Sequence, residues 1–360
     1  MTAAVAAFTS ALALPVPSLA CTTFCLLSED RIIFGKNYDW HIANGLLFVN
    51  KRGVERSGQP PRDRGKDWVS KFGSVTFNQY GRDQPAGGMN EIGLVIELMW
   101  MSGTVFPEPD HRPAVTGTSW VQYQLDTARS VSDVIASNAE VRISRSAAPL
   151  HYLVADRSGD VAVIEFRDGV QVVYRGATLP VPALANDFYA DALKLSAEAD
   201  KANLFADRFT RAAHSIRAYT TTKNGDPVAY AFTTLADVAQ KIGTSSAPAG
   251  SPPATITQWS MVYEIDALRV HFRTEGAPAI KSLSLTDIDF ACATPVKMLD
   301  LNEATEGDVK AQLLPYTREA NLALIRTAFS QTSFLRGLLD KELDRVASWP
   351  EQGSCTSAIR

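Results

Sequence analysis

The amino-acid sequence predicts an α+β fold in which two antiparallel sheets are covered by helices. Three observations lead there. Strand-like and helical stretches follow one another in the order sheet, helices, sheet, helices. Neighbouring strand-like stretches are separated by short turn sequences, as in antiparallel hairpins. The composition, 46% hydrophobic and 21% charged over 360 residues, shows no break that would mark a domain boundary, so residues 21–360 read as one domain.

Taken in order, Cys21 to Leu27 and Arg31 to Trp40 form a hairpin around the turn Ser28-Glu29-Asp30. The Gly-, Pro- and Arg-rich stretch from Asn44 to Gly65 reads as a long surface loop. Strands follow near Gly73–Tyr80 and Gly93–Trp100, with Gly87-Gly88 as the turn between them. From Thr118 to Glu140 apolar residues recur at helical spacing, with Ser119 placed to cap. His151 to Tyr174 gives three short strands with turns at Ser158-Gly159 and Asp168-Gly169. Tyr189–Leu195, Arg208–Tyr219 and Leu235–Ile242 read as helices, and Gly243–Pro253 as a loop. Strands resume at Trp259–Ile265, Ala267–Thr274 and Ile280–Leu285. The region from Arg318 to Val346 is helical, with Gly337 interrupting it.

The net charge of −4 speaks against nucleic-acid binding, which normally needs a basic face. Beyond the N-terminus no apolar run approaches the roughly 18 residues of a membrane span. Met1 to Ala20 stands apart: it carries no charge, Pro15 and Pro17 break it, and it ends Ser18-Leu19-Ala20. Small residues at the two positions read by signal peptidase make it a signal peptide, although it lacks the usual positive start. Cleavage after Ala20 exposes Cys21, and the protein is expected to be exported, to the periplasm or the extracellular space.

Of the four cysteines, Cys21 and Cys25 lie four apart on a strand, roughly 13 Å at about 3.3 Å per residue. That is too far for a disulfide and the wrong spacing for zinc. Cys292 and Cys355 either pair, which export permits, or remain two separate thiols.

A new N-terminal cysteine carries its own chemistry. A thiol attacks an acyl carbon once a base removes its proton, and the chain's own α-amine can be that base. Its ordinary pKa of about 7.7–8.0 suits a general base near neutral pH. None of the five histidines lies in a recognisable triad motif.

At this point the residues resemble a known family. Cys21-Thr22-Thr23-Phe24 followed by Phe34-Gly35-Lys36-Asn37-Tyr38-Asp39-Trp40 is similar to the choloylglycine hydrolase family, which holds bile salt hydrolases and penicillin V acylases within the N-terminal nucleophile (Ntn) hydrolase superfamily. Asn90-Glu91-Ile92-Gly93-Leu94, Ala185-Asn186-Asp187, Arg208-Phe209-Thr210-Arg211 and Thr257-Gln258-Trp259-Ser260 resemble later family segments in the same order. The resemblance covers residues 21 to about 275. It implies a four-layer αββα sandwich and hydrolysis of a linear amide in a small N-acyl substrate, through a thioester and without a cofactor.

Carried onto this chain, the family pattern makes Cys21 nucleophile and base, and Asp39 the anion that holds its thiol or amine. Asn90 and Asn186 become oxyanion donors, and Arg208 orients Cys21 and Asp39 by charge-assisted hydrogen bonds. Lys36 stands where the family usually has Arg; it keeps a positive charge but not a bidentate fork. Trp40, Trp100 and Phe48 are candidates to line an apolar acyl pocket. The family is often tetrameric. Two other readings share the same cysteine. In one, Cys21 is the lipid-modified residue of an exported lipoprotein or noncatalytic binding module; against it, Cys21 runs straight into strand sequence with no tether. In the other, the thioester is passed to an amine by an acyltransferase.

Overall fold

The computed structural model describes residues 21–28, 30–58, 63–145, 147–202, 207–221, 225–241 and 255–356. The expected signal peptide and the Gly243–Pro253 loop lie outside them.

Two stacked sheets dominate. Among the described residues the first has seven strands, in the spatial order Ala183–Leu184, Thr22–Leu27, Ile32–Trp40, Ile256–Glu264, Arg269–Thr274, Lys281–Ser284 and Gly307–Asp308. The second has nine, ordered Val170–Arg175, Val161–Arg167, Leu150–Ala155, Val95–Trp100, Pro85–Asn90, Ser74–Asn78, Leu46–Asn50, Lys297–Asp300 and Leu314–Pro315. All pairings in them are antiparallel except Lys281–Ser284 with Gly307–Asp308. Helices Arg208–Thr221 and Pro227–Asp237 cover the outer face of the first sheet, and Gly117–Thr127 with Val131–Ala136 that of the second. This is the αββα layering of the Ntn-hydrolase fold. Among the described residues no helix is long and apolar enough to cross a membrane.

Alternation along each strand decides what meets what. In Ile32–Trp40, Asn37 and Asp39 turn outward: Asn37 Nδ2 donates to Leu235 O at 2.7 Å, and Asp39 accepts from Thr257 and faces Arg208. Lys36 and Tyr38 turn inward, Lys36 Nζ donating to Leu98 O on the second sheet and Tyr38 OH to Gln79 Oε1 at 2.9 Å, just past strand Ser74–Asn78 of that sheet. Phe77 packs edge-on against Tyr263 and Phe272, with ring centroids 6.2 and 5.4 Å away. Burying each such ring stabilises the fold by about 1.5–3 kcal/mol.

The first hairpin forms as expected, in register from Thr22↔Asn37 to Leu27↔Ile32. Several other expectations need correction. The stretch from Asn44 to Gly65 is not all loop, because Leu46–Asn50 is a fully buried strand between Ser74–Asn78 and Lys297–Asp300. Gly87 and Gly88 lie inside strand Pro85–Asn90, not in a turn. A Cβ at Gly87 would run into the Glu97 carboxylate, so the residue is small for packing. The helix expected over 118–140 is two helices, because Ser130 caps a new start by accepting from Asp133 N–H at 3.2 Å. Thr116, not Ser119, caps the first of them. Helix Pro227–Asp237 starts earlier than expected and stops at Asp237; Ile242 lies outside the described residues. The C-terminal region divides into Arg318–Gln331 and Asp340–Ser348, with Gly337 at φ +100° between them. Cys292 and Cys355 are disulfide-bonded with Cα atoms 5.7 Å apart, and Cys21 and Cys25 are free thiols.

Candidate active site

Cys21 immediately precedes strand Thr22–Leu27, at the centre of a polar cluster, and is only 5% exposed. Its backbone N–H donates to Asn186 Oδ1 at 2.8 Å, and its thiol points to Asp39 O at 3.9 Å. Asn186 is in place because Ala183–Leu184 pairs with Thr23 and Phe24, which carries the next residues across Cys21. His151 Nε2, 2.8 Å from Ala185 O, pins that turn. Asn186 Nδ2 donates to Trp100 O at 2.7 Å.

Arg208 ties the cluster together from the start of its helix, where Asp207 accepts from Thr210 N–H at 2.8 Å. Its Nη2 donates to Asn186 Oδ1 at 3.0 Å, and its Nη1 to Asp39 Oδ2 at 3.4 Å and Gln240 Oε1 at 3.3 Å. Thr257 Oγ–H donates to Asp39 Oδ1, and accepts from Gln240 N–H at 2.9 Å. A register shift between Thr257 and Trp259 brings Thr257 opposite Asp39. Gln240 and Thr257 are thus part of the cluster although no role was expected of them. Thr257 lay within a recognised segment; nothing local distinguishes Gln240.

The cluster sits at low dielectric. Burial pushes the Cys21 thiol above its ordinary value, opposed by the positive charge of Lys36, raised further by Asp39, and opposed again by the Asp39 backbone contact and Arg208. Burial lifts the Asp39 carboxyl to about 7, against the Thr257 hydrogen bond and the charges of Arg208 and Lys36. Lys36 is completely buried on the inner face, one strand over from Cys21.

The structure therefore brings Cys21, Asp39, Asn186, Arg208 and Lys36 together, with Trp100 and Trp40 alongside. The Trp40 and Trp100 rings are 6.3 Å apart, and Trp100 continues to Phe334 at 5.8 Å. Two expected site residues do not join them. Asn90 ends its strand at the opposite end of the sheet: Met89 pairs with Val95, and Trp100 lies five residues further along, roughly 17 Å away at about 3.4 Å per residue. There its Nδ2 donates to Leu125 O and Ala128 O at 3.1 Å each, and its Oδ1 accepts from Leu94 N–H at 2.9 Å. Phe48 faces away from the interior between the sheets, buried against Leu46, Met298 and Leu324. A cavity of about 540 Å³ borders Gln240 and Thr257. Its lining contains neither Cys21 nor Trp40 nor Trp100, so it is separate from the thiol.

With this geometry in hand, similarity to known proteins is informative. The pattern of the linear amide C–N hydrolases of the choloylglycine hydrolase family matches residues 21–195. A penicillin V acylase from Pectobacterium atrosepticum is 27% identical over 313 residues, covering 76% of this chain and 83% of that protein. The structure of a penicillin V acylase from Agrobacterium tumefaciens superposes with a TM-score of 0.72 at 26% identity, covering 82% of this chain and 98% of that one. A conjugated bile acid hydrolase from Clostridium perfringens, 16% identical with a TM-score of 0.67 over 79% of this chain and 98% of its own, shares the fold.

Proposed function

We propose that the chain is a linear amide C–N hydrolase of the choloylglycine hydrolase family, to whose members it is similar, and that it cleaves a small N-acyl amide with Cys21 as an N-terminal thiol nucleophile. One observation carries the reading: the Cys21 nitrogen and thiol both lie within a buried cluster of Asn186, Arg208 and Asp39. Once residues 1–20 are removed, that nitrogen becomes an α-amine already aimed at Asn186, beside its own thiol.

In this reading the α-amine takes the thiol proton and sulfur bonds to the amide carbon. Negative charge moves onto the carbonyl oxygen, which in this reading accepts from the Asn186 Nδ2 hydrogen not given to Trp100 O; one such donor contributes about 3–4 kcal/mol in other enzymes. The α-ammonium returns the proton to the leaving nitrogen as the C–N bond breaks. Water, deprotonated by the same amine, then hydrolyses the thioester. Arg208 fixes Asn186 and Asp39 relative to each other. Trp40 follows Asp39 and Trp100 O accepts from Asn186, so their neighbouring rings offer an aromatic wall that favours an apolar or aromatic acyl group, as in penicillin V. The burial of Cys21 counts against a lipid-anchored cysteine, which would need to face solvent and membrane. Export with signal-peptidase cleavage after Ala20 belongs to the same proposal.

The test is the intact mass of the exported protein before and after exposure to a phenylacetyl amide. The expected mass begins at an unmodified Cys21 and gains an acyl adduct there. A mature protein that keeps residues 1–20, or carries a lipid on Cys21, would overturn the mechanism.

A further inference from the structure

Beneath Cys21 lies a second buried network that the reaction scheme does not use. Lys36 Nζ, entirely buried, donates to Leu98 O and faces Glu97 Oε2 at 3.9 Å. Glu97, also entirely buried, accepts from Tyr263 OH through Oε1. Among the described residues its Oε2 has no hydrogen-bond partner, which leaves it to the Lys36 charge alone. The carboxylate lies over Gly87, where any side chain would displace it.

Neither ion has an obvious structural reason to be there. An isolated buried charge is costly, and a buried pair often does no better than apolar side chains of similar volume. The surroundings are otherwise apolar, with Phe34 and Phe77 packed edge-on to Tyr263 at 6.0 and 6.2 Å. The network does have a consequence for Cys21. Lys36 lies diagonally across from it on the neighbouring strand, and its charge acts on the thiol.

We propose that Glu97 and Tyr263 are positioning residues that hold the Lys36 ammonium under Cys21, and that the Glu97 charge sets how readily the Cys21 thiol ionises. The proposal rests on Cys21 as nucleophile. The charge balance gives its sign. The groups facing Cys21 are Lys36, Tyr38 and Asp39 from one strand and Arg208 from a helix, together with its own α-amine after cleavage. The groups facing Glu97 are Lys36 and Tyr38 from strand Ile32–Trp40 and Tyr263 from strand Ile256–Glu264; Gly87 and Leu153, its strand neighbours, do not titrate. Lys36 and Arg208 supply two positive charges; Asp39 and Glu97 offset both when ionised. A Cys21 thiolate is then a third anion. Removing the Glu97 charge leaves one cation free to stabilise it.

The experiment follows thiolate formation by ultraviolet absorbance against pH in the processed protein, with Cys21→Ser subtracted to isolate Cys21. Glu97→Gln keeps the shape and removes the charge. Its Cys21 midpoint is expected to move to lower pH by about one unit, the size of effect a single charge exerts over roughly 12 Å at an effective dielectric of about 20. Tyr263→Phe removes one donor from Glu97, which then takes up a proton more readily; the midpoint moves the same way by less. It stands in if Glu97→Gln does not fold. Folded variants whose curves overlay the wild type would overturn the proposal, since a purely structural network would not move the midpoint. The parent reading fails separately, through a Cys21→Ser protein that still hydrolyses amide.

Discussion

Asn90 and Asn186 are two asparagines expected to do the same job, and the fold places them at opposite ends of it. Asn186 sits beside the thiol, accepting from Cys21 N–H at 2.8 Å and Arg208 Nη2 at 3.0 Å. Asn90 uses its amide on Leu125 O, Ala128 O and Leu94 N–H, tying a strand turn to the end of helix Gly117–Thr127. One is half-buried and faces Cys21; the other is fully buried and has no capacity left for a ligand. Both are motif residues, so the difference shows that a motif locates a side chain in the chain but not its end of the strand.

The sharpest control on this comparison is the thiol itself. Cys21→Ser should lower amide hydrolysis by about 10³-fold or more while the thermal transition stays in place, because a hydroxyl is a far weaker nucleophile near neutral pH. Asn186→Ala comes next. It should reduce kcat by about 10²–10³-fold, the effect of one oxyanion donor, with a smaller change in stability. Asn90→Ala should do the reverse, costing about 3 kcal/mol by leaving buried backbone groups unpaired, yet keeping kcat in the folded fraction. Denaturant unfolding with parallel kinetics reads both; a kcat loss in Asn90→Ala larger than in Asn186→Ala would break the comparison.

A second contrast lies in the disulfide. Cys292–Cys355 closes a separation of 63 residues far along the chain from Cys21, beside the bridge between Val54 and Cys355. Replacing both cysteines by Ser should cost about 2–4 kcal/mol of stability with kcat kept, measured by the same two methods.

A further effect is in the pH dependence of stability. Burial lifts the Asp39 and Glu97 carboxyls from 3.8 and 4.5 to about 7 each. Folding then favours the protonated forms. Their contribution is present below about pH 4 and is lost as pH rises through about 7. Calorimetry should show Tm declining across that window, and Asp39→Asn should flatten the decline. A Tm in Asp39→Asn that falls as steeply as in wild type would remove Asp39 as a cause.

The first hairpin, the three strands from Leu150 to Arg175 and the starts of the helices at Tyr189 and Arg208 were legible in the sequence, since turn residues and local periodicity encode them. Strand Leu46–Asn50 was not. It is buried on both faces, so its apolar run lacks alternation, and its partner Lys297–Asp300 is some 250 residues away.

The sequence by itself determined the class of the fold, the resemblance to a family and the residues Cys21, Asp39, Asn186 and Arg208 as candidates, because each lies in a short segment with its own chemical character. Only the tertiary structure decided which of them meet. It sent Asn90 to the far end of its sheet and Phe48 to an outer face, and it brought Thr257 to Asp39 and Gln240 to Arg208. It also set the Glu97 carboxylate against Lys36 across the two sheets. Strand register and sheet stacking are fixed by contacts between residues distant in the chain, and no local pattern carries them.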